Sequence, residues 1–534
     1  MPFSSFLIAN QTHTDTGLGS LLAASPTIAA MLKQILAKIP RKSQKSDSKD
    51  PSVTKPLNSK TPMTDTGDGL QFTNSCNVIA NQLSVVKRMS SAIFPVAGGE
   101  SIGPHMCFKD VSNGEKQGLF LSKLNLCCSV FDFSDPEKNA AEKDLKRQAL
   151  IDLNDFVTSG SVKCTESAIA AVCKMCAVNL FRDFPPKYSP SHSARGEGED
   201  EEPLFDPAWY HLQLVYDLFL QFISLTSLDP KAAKKYVHHS FIIRLLNLFD
   251  SEDPRERECL KSVLHRLYEK FMVHRPFIRN AISNLFYGFV FETQWHNGIS
   301  ELLEVLGSVI SGFALPLKEE HKVFFSRALI PLHKPKALGM YHQQLVYCVV
   351  QFVEKEQNLA SVLVAKLLRY WPVKNSQKEL MFISEIEEIM ELMKVSEFQK
   401  IMVPLFRRIG FCLNSSHFQV AERAHLLWNN DNFLNLVTLN KDVMMPIVVS
   451  ALEKNNQNHW NKSILNLTQN VRKVILEMDE ELVLACQRKL EEEKSTSDIV
   501  AERRRVKWEH LDSITSTPIS SLAKPPFNCL VATC

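Results

Sequence analysis

Glycine is scarce, at 18 of 534 residues, and none of it falls into a GxxxxGK[ST] loop or any other Gly-rich phosphate cradle. HExxH is also missing, as are the GDxHG and GNHE blocks with which serine/threonine phosphatases hold their metals. Without one of these constellations the chain has no nucleophile or metal site of a familiar kind, which predicts a protein that binds rather than catalyses. There is no excess of either charge: 61 Lys and Arg against 59 Asp and Glu leave a formal +2. No global field is available to hold nucleic acid or an anionic surface, so electrostatic recognition must be local. No run approaches the ~20 apolar residues needed to cross a bilayer, which predicts a soluble chain. The apolar stretch after Leu21 is interrupted by Pro26 and lacks a signal-peptide layout, and the first arginine, Arg41, comes too late for a transit peptide. Alternation of period two is nowhere sustained, which argues against a sheet.

What is present is helix after helix. From about Leu119 apolar residues recur at spacings of three and four for most of the chain, separated by short turns. Four Asp-Pro pairs, Asp135-Pro136, Asp206-Pro207, Asp229-Pro230 and Asp253-Pro254, read as helix starts. There the carboxylate accepts from first-turn amides, and proline's missing donor is not needed. Helix pairs recurring at about 40 residues predict an all-α, HEAT-type α-solenoid. Three segments follow: a low-complexity, largely disordered extension over 1–117, the solenoid over 118–490, and a charged, then Ser/Thr/Pro-rich tail over 491–534 holding a frayed helix around ERRRVKWEHLD. Residues 184–207, Pro-, Ser- and acid-rich, read as an exposed loop inside the array. Between Lys33 and Lys60 eight Lys or Arg stand against two Asp, which reads as a solvated tail, with a nuclear-import segment as the alternative.

The 13 cysteines are an odd number spread through amphipathic segments, pointing to a reducing compartment. Cys173 and Cys176 form a CxxC with no second ligand pair, and are read as small core residues on a helix. No cofactor and no metal site is expected.

Two segments carry a candidate site. LHRLYEKFMVHRPFIR places His265, Arg266 and Tyr268 on one helix with Arg275 just beyond it. In HNGISELLEVLGSVISGFALPLKEEHK, Val305 and Val309 share a helix face, and the charged knot after Pro316 supplies Lys318 and His321. From Arg266 to Val305 is 39 residues, about one repeat, so the two patches are expected on equivalent helices of adjacent repeats. They would line a groove with a shallow apolar floor and cationic walls, suited to an extended peptide with apolar anchors and an acidic or phosphorylated neighbour. Glu319 and Glu320 are expected as solvated rim. In FISEIEEIMELM, Glu385, Glu387, Glu388 and Glu391 cluster on one helix, a solvated face or a docking patch for a basic stretch of a partner.

The blocks SEDPRERECLKSVLHRLYEKFMVHRPFIR, ETQWHNGISELLEVLGSVISGFALPLKEEHK, HFQVAERAHLLWNN and KNNQNHWN closely resemble the regulatory B-prime subunit family of protein phosphatase 2A, most of all its plant members. The resemblance runs from about Leu119 to about Leu490. It implies a right-handed superhelix of about eight HEAT-like repeats with no activity of its own. Such a chain joins a scaffolding and a catalytic subunit into a heterotrimer and selects substrates through short LxxIxE motifs. His265, Arg266, Tyr268, Arg275, Lys318 and His321 match the family's pocket residues, while Val305 and Val309 stand where isoleucine is usual. Each such exchange removes one methylene, about 0.8 kcal/mol of contact if buried, so motif binding is expected to be retained but weakened. Gly288 where arginine is usual, Glu269 after Tyr268, and divergent sequence over 160–200 are further departures.

The competing reading is a solenoid cargo adaptor of the nuclear-import kind, which would hold basic peptides and bring no phosphatase with it. Cytoplasmic residence, with some nuclear presence, is the expectation.

Overall fold

The computed structural model describes residues 106–184, 205–293 and 295–515. Nearly all of the expected N-terminal extension, and most of the 184–207 loop, lie outside the described residues. Nineteen α-helices are present in them, with no strand. In chain order they are α1 (Lys116–Leu126), α2 (Ala140–Thr158), α3 (Glu166–Leu180), α4 (Trp209–Ser224), α5 (Pro230–Ala233), α6 (His239–Asn247), α7 (Pro254–Lys270), α8 (Arg275–Gly288), α9 (Ile299–Ser311) and α10 (Glu319–Phe324). There follow α11 (His342–Lys355), α12 (Leu359–Arg369), α13 (Ser376–Glu391), α14 (Val395–Leu413), α15 (Phe418–Leu426), α16 (Asp431–Leu439), α17 (Lys441–Asn458), α18 (Lys462–Met478) and α19 (Glu480–Thr515).

These helices stack in two layers. One runs α2, α4, α7, α9, α11, α13, α15, α18; the other runs α1, α3, α6, α8, α10 with the π-turn Phe325–Leu329, then α12, α14, α17 and α19. The chain therefore makes eight helical hairpins in which each helix packs mainly on its counterpart one repeat away, the architecture of an α-solenoid. A single apolar core runs between the layers, from Phe120 and Leu124 at one end to Val483 and Cys486 at the other. Cys173 and Cys176 lie in that core on α3, and burial pushes the Cys173 thiol up to about 12, which makes it an inert apolar filler.

Two of the four Asp-Pro pairs start helices as expected. Asp229 accepts from Lys231 N and Asp253 from Arg255 N, each with proline at the first helical position. Asp206 accepts from Ala208 N at 2.8 Å, one residue ahead of α4. Asp135 closes only a turn, accepting from Glu137 N, and α2 begins after Asn139, whose φ of 56° is left-handed. Beside the 184–207 loop, Arg182 meets Glu256 through two bonds of 2.7 and 2.6 Å and Asp206 at 3.1 Å, joining the chain on the two sides of residues 185–204 to α7.

The expected bound at 490 falls within α19. α19 continues to Thr515, with Val483 and Cys486 buried and everything after Glu491 exposed. Once the first turns are fixed by packing, elongation requires no new nucleus. The continuation is rich in Glu, Lys and Arg, and Arg505 pairs with both Glu502 and Glu509 along the surface.

Two glycines separate local cost from packing need. Gly288 ends α8, and a Cβ there would meet only Glu292 Oε2 at 3.9 Å. Gly307 lies inside α9, where a Cβ would come within 2.6 Å of the Tyr347 ring on α11. Gly288→Ala should therefore stabilise, by up to about 1 kcal/mol, and Gly307→Ala should destabilise, by about 1–3 kcal/mol. Thermal melts of the two variants should move in opposite directions.

Candidate functional site

The site is built where α7, α8, α9 and α10 meet. α7 and α9 are neighbours, pinned by Arg257–Glu301 at 2.8 Å and Lys261–Glu304 at 2.6 Å, partners 44 and 43 residues apart. Continuing that register along both helices brings Arg266 level with Val309. The expected offset of 39 residues, which matched Arg266 with Val305, is one turn short. Val305 and Val309 are 2 % and 7 % exposed. The expected open valine floor is thus closed: Val305 belongs to the core, and only an edge of Val309 reaches the surface.

What faces outward is a set of cations around two rings. Tyr268 is half-buried against the core, and its hydroxyl accepts from Arg279 Nη1 at 3.0 Å. Arg275 donates through Nε to the Tyr268 carbonyl at 2.8 Å, with its guanidinium 5.2 Å from the Tyr268 ring. Arg279 reaches Glu320 at 2.9 Å and lies 6.0 Å from the Phe313 ring centroid. His321 stacks flat on Phe313, centroids 3.7 Å apart, and its Nε2 lies 3.4 Å from Glu320. His265 is exposed on α7, and Lys318 is exposed just before α10. Arg266 contacts Glu269 at 2.6 Å and the Ser224 carbonyl at 3.2 Å, leaving a buried Nε with no acceptor.

His321 differs from its expected role as a member of a cationic wall. Burial, reinforced by Arg279 and Lys318 and only partly offset by Glu320, lowers its pKa, so the ring is neutral at pH 7. Its Nδ1 is buried without a partner. Of the two glutamates expected as rim, Glu319 is solvated, whereas Glu320 is engaged by Arg279. Arg279 is a site residue that the sequence reading misses, although it stands four residues after Arg275 on the same face of α8; it is the side chain that joins Tyr268 to the α10 carboxylates.

The acidic group on α13 is not one exposed patch. Glu385 faces inward, 1 % exposed, and accepts from His333 Nε2 at 2.9 Å and His342 Nε2 at 3.1 Å. Burial pushes its carboxyl up, but the His333 charge and the two histidine bonds outweigh that and hold it down at about 2. The reason is periodicity: Glu385 lies between Phe382, Ile386 and Ile389 on the apolar stripe. Glu387 pairs with Arg423, and Glu391 accepts from Asn430 at 3.0 Å. Glu388 is half-buried, and burial together with Glu385, Glu391 and Glu387 raises it to about 7. Among the described residues no group of His, Cys, Asp or Glu is arranged to hold a metal ion, and no single helix is long and apolar enough to cross a membrane.

A two-layer helical array with a surface cluster of arginines and aromatic rings defines a binding protein of the α-solenoid class. Comparison with known proteins narrows the class: residues 105–515 match the family model of the protein phosphatase 2A regulatory B subunit (B56 family), and the chain belongs to that family. It is 62 % identical over 452 residues to the B' kappa isoform of the 57 kDa regulatory subunit of serine/threonine protein phosphatase 2A from Oryza sativa subsp. japonica, covering 84 % of this chain and 89 % of that one. The B' kappa isoform of Arabidopsis thaliana is 58 % identical over 488 residues, 91 % and 96 % of the two chains. The Arabidopsis B' gamma isoform is 54 % identical over 414 residues, 77 % and 79 %. The match extends at both ends beyond the 119–490 span of the sequence resemblance, and at the C-terminal side it stops where α19 does. The chain is a regulatory subunit of protein phosphatase 2A, not an enzyme, and the cargo-adaptor reading is set aside.

Two carboxylates of α13 should respond to pH with opposite sign. Glu385 ionises more easily folded than unfolded, so its contribution is present above its ordinary 4.5 and is lost as pH falls towards about 2. Glu385→Gln weakens two charge-assisted bonds of about 1.5 kcal/mol or more each. It should lower the melting temperature at pH 7, with the gap to wild type closing in acid. Glu388 is harder to ionise folded, so stability falls as pH rises from 4.5 to about 7. Glu388→Gln should raise the melting temperature at pH 8 and leave it nearly unchanged at pH 5.

Proposed function

We propose that this chain joins a scaffolding and a catalytic subunit into a phosphatase heterotrimer and selects substrates by docking short LxxIxE-type motifs at the α7–α10 junction. The observation that carries the docking reading is the convergence of Arg275 and Arg279 on Tyr268, with Arg279 and Lys318 beside the Phe313–His321 stack and Arg266 two residues before Tyr268 on α7. The relatives' names as regulatory subunits of protein phosphatase 2A support the assembly.

In this reading the leucine and isoleucine of the motif lie against Tyr268 and Val309, with Val305 supporting them from beneath. The motif's glutamate meets the guanidinium of Arg266, and acidic or phosphorylated neighbours meet Lys318 and Arg279. Neutral His321 contributes a flat surface and a hydrogen bond, not charge. Tethering the substrate in this way raises its local concentration at the catalytic subunit and accelerates dephosphorylation without new chemistry.

Affinity purification of the tagged full chain should retrieve scaffolding and catalytic subunits and an okadaic-acid-sensitive phosphatase activity; retrieval of neither overturns the assembly. Titration of a fluorescent LxxIxE peptide should weaken at least tenfold, about 1.4 kcal/mol, in Arg266→Glu and in Lys318→Glu. Unchanged affinity in both overturns the docking mode.

A further inference from the structure

Arg266 is the cation of the site whose charge is already met from its own helix. Its Nη1 lies 2.6 Å from Glu269, one turn further along α7, and its Nη2 is held by the Ser224 carbonyl of α4 at 3.2 Å. The Arg266 side chain is 31 % exposed and that of Glu269 58 % exposed, so the carboxylate is the more solvent-facing of the pair. The buried Nε has no acceptor. Arg266 is thus a guanidinium held by a backbone carbonyl on one nitrogen, with a carboxylate of the protein's own chain on the other.

We infer that Glu269 is a specificity-determining residue of this site: it occupies the ligand position on Arg266, so that an acidic ligand must displace it. This rests on the docking reading above and deepens it. An exposed pair three residues apart on one helix is weak and screened by salt, so displacement is easy, but it subtracts from every ligand that uses Arg266. Glu269 also places a second negative charge beside the incoming one, which acts in the same direction. The other engaged cation differs: Arg279 donates to Tyr268 and Glu320 from separate nitrogens, and its carboxylate partner comes from α10 across the site. Only at Arg266 does one substitution on the same helix free the position without disturbing a link between helices.

The test is a titration of the full chain with a synthetic peptide carrying an LxxIxE motif and no phosphate, comparing wild type, Glu269→Gln, Arg266→Ala and the double variant. Glu269→Gln should bind two- to fivefold more tightly at low salt, about 0.4–1 kcal/mol, with the gain shrinking at high salt and disappearing in the Arg266→Ala background. An affinity equal to wild type, or a gain that persists without Arg266, overturns the inference. If wild type binds and Arg266→Ala does not, the docking reading survives that failure. If no variant binds the peptide, both fall together.

Discussion

At least one polar contact per repeat holds the first layer of helices in step. Asn154 of α2 donates to the Leu214 carbonyl of α4, and Tyr216 of α4 to Glu256 of α7. Arg257 and Lys261 of α7 pair with Glu301 and Glu304 of α9, and Glu304 accepts from Gln344 of α11. His342 of α11 bonds Glu385 of α13, Glu387 of α13 pairs with Arg423 of α15, and His425 of α15 bonds Thr468 of α18. Apolar stripes alone leave neighbouring helices free to slip by a turn, because ridges fit grooves again at each repeat of the pattern. A slip here would take Tyr216 from Glu256 and His342 from Glu385, two carboxylates essentially without solvent, at a cost of about 1–3 kcal/mol for each lost bond. Apolar burial supplies the stability of the array, and the rungs select its register.

The functional geometry inherits that register. The two rungs between α7 and α9 put Arg266 and Val309 at the same level of the two helices, and the α8 helix that follows α7 carries Arg275 and Arg279 back onto Tyr268. The site is therefore not a loop feature that could be moved without consequence. It is the outer edge of two stacked hairpins, rigid to the extent that the rungs below it are. Its charges are also largely compensated within the protein, at Glu269, Glu320 and the Ser224 carbonyl. Under the proposed docking mode a peptide would be selected by exchange of partners, which favours ligands that replace several contacts at once over any that offer only bulk negative charge.

Much of this was legible in the sequence because period and punctuation are local. The 3.6-residue stripes, the Asp-Pro starts and the repeat of about 40 residues gave the helices and their stacking, and long family blocks gave the family. Three things were not legible, each for a non-local reason. The offset between α7 and α9 depends on which side chains pair across the layer, so 39 residues looked as good as 43 until Lys261 met Glu304. Whether Val305, Glu385 or His321 faces solvent depends on a neighbour from another repeat. How far the last helix runs was not legible because α19 is polar all round after Glu491 and is helical by propensity and ion pairs, without an apolar stripe to announce it.

The turns between the layers pose a different problem, and the solution bears on the site. They leave helix carbonyls unsatisfied, and lysines from the following hairpin cover them. Lys378 donates to the carbonyls of His333, Lys334 and Pro335, and Lys355 of α11 to those of Ser311 and Phe313. A cation at the C-terminal end of a helix is favoured by the helix dipole as well as by the hydrogen bonds. Through Lys355 the next repeat fixes the backbone of Phe313, the ring on which His321 lies and over which Arg279 passes. The surface between α7 and α10 is thus held by rungs from beneath and by a lysine from the following repeat. Loss of that lysine would loosen the stack without removing any residue of the proposed site, so the geometry of that surface is a property of three consecutive repeats and not of the two that carry its side chains.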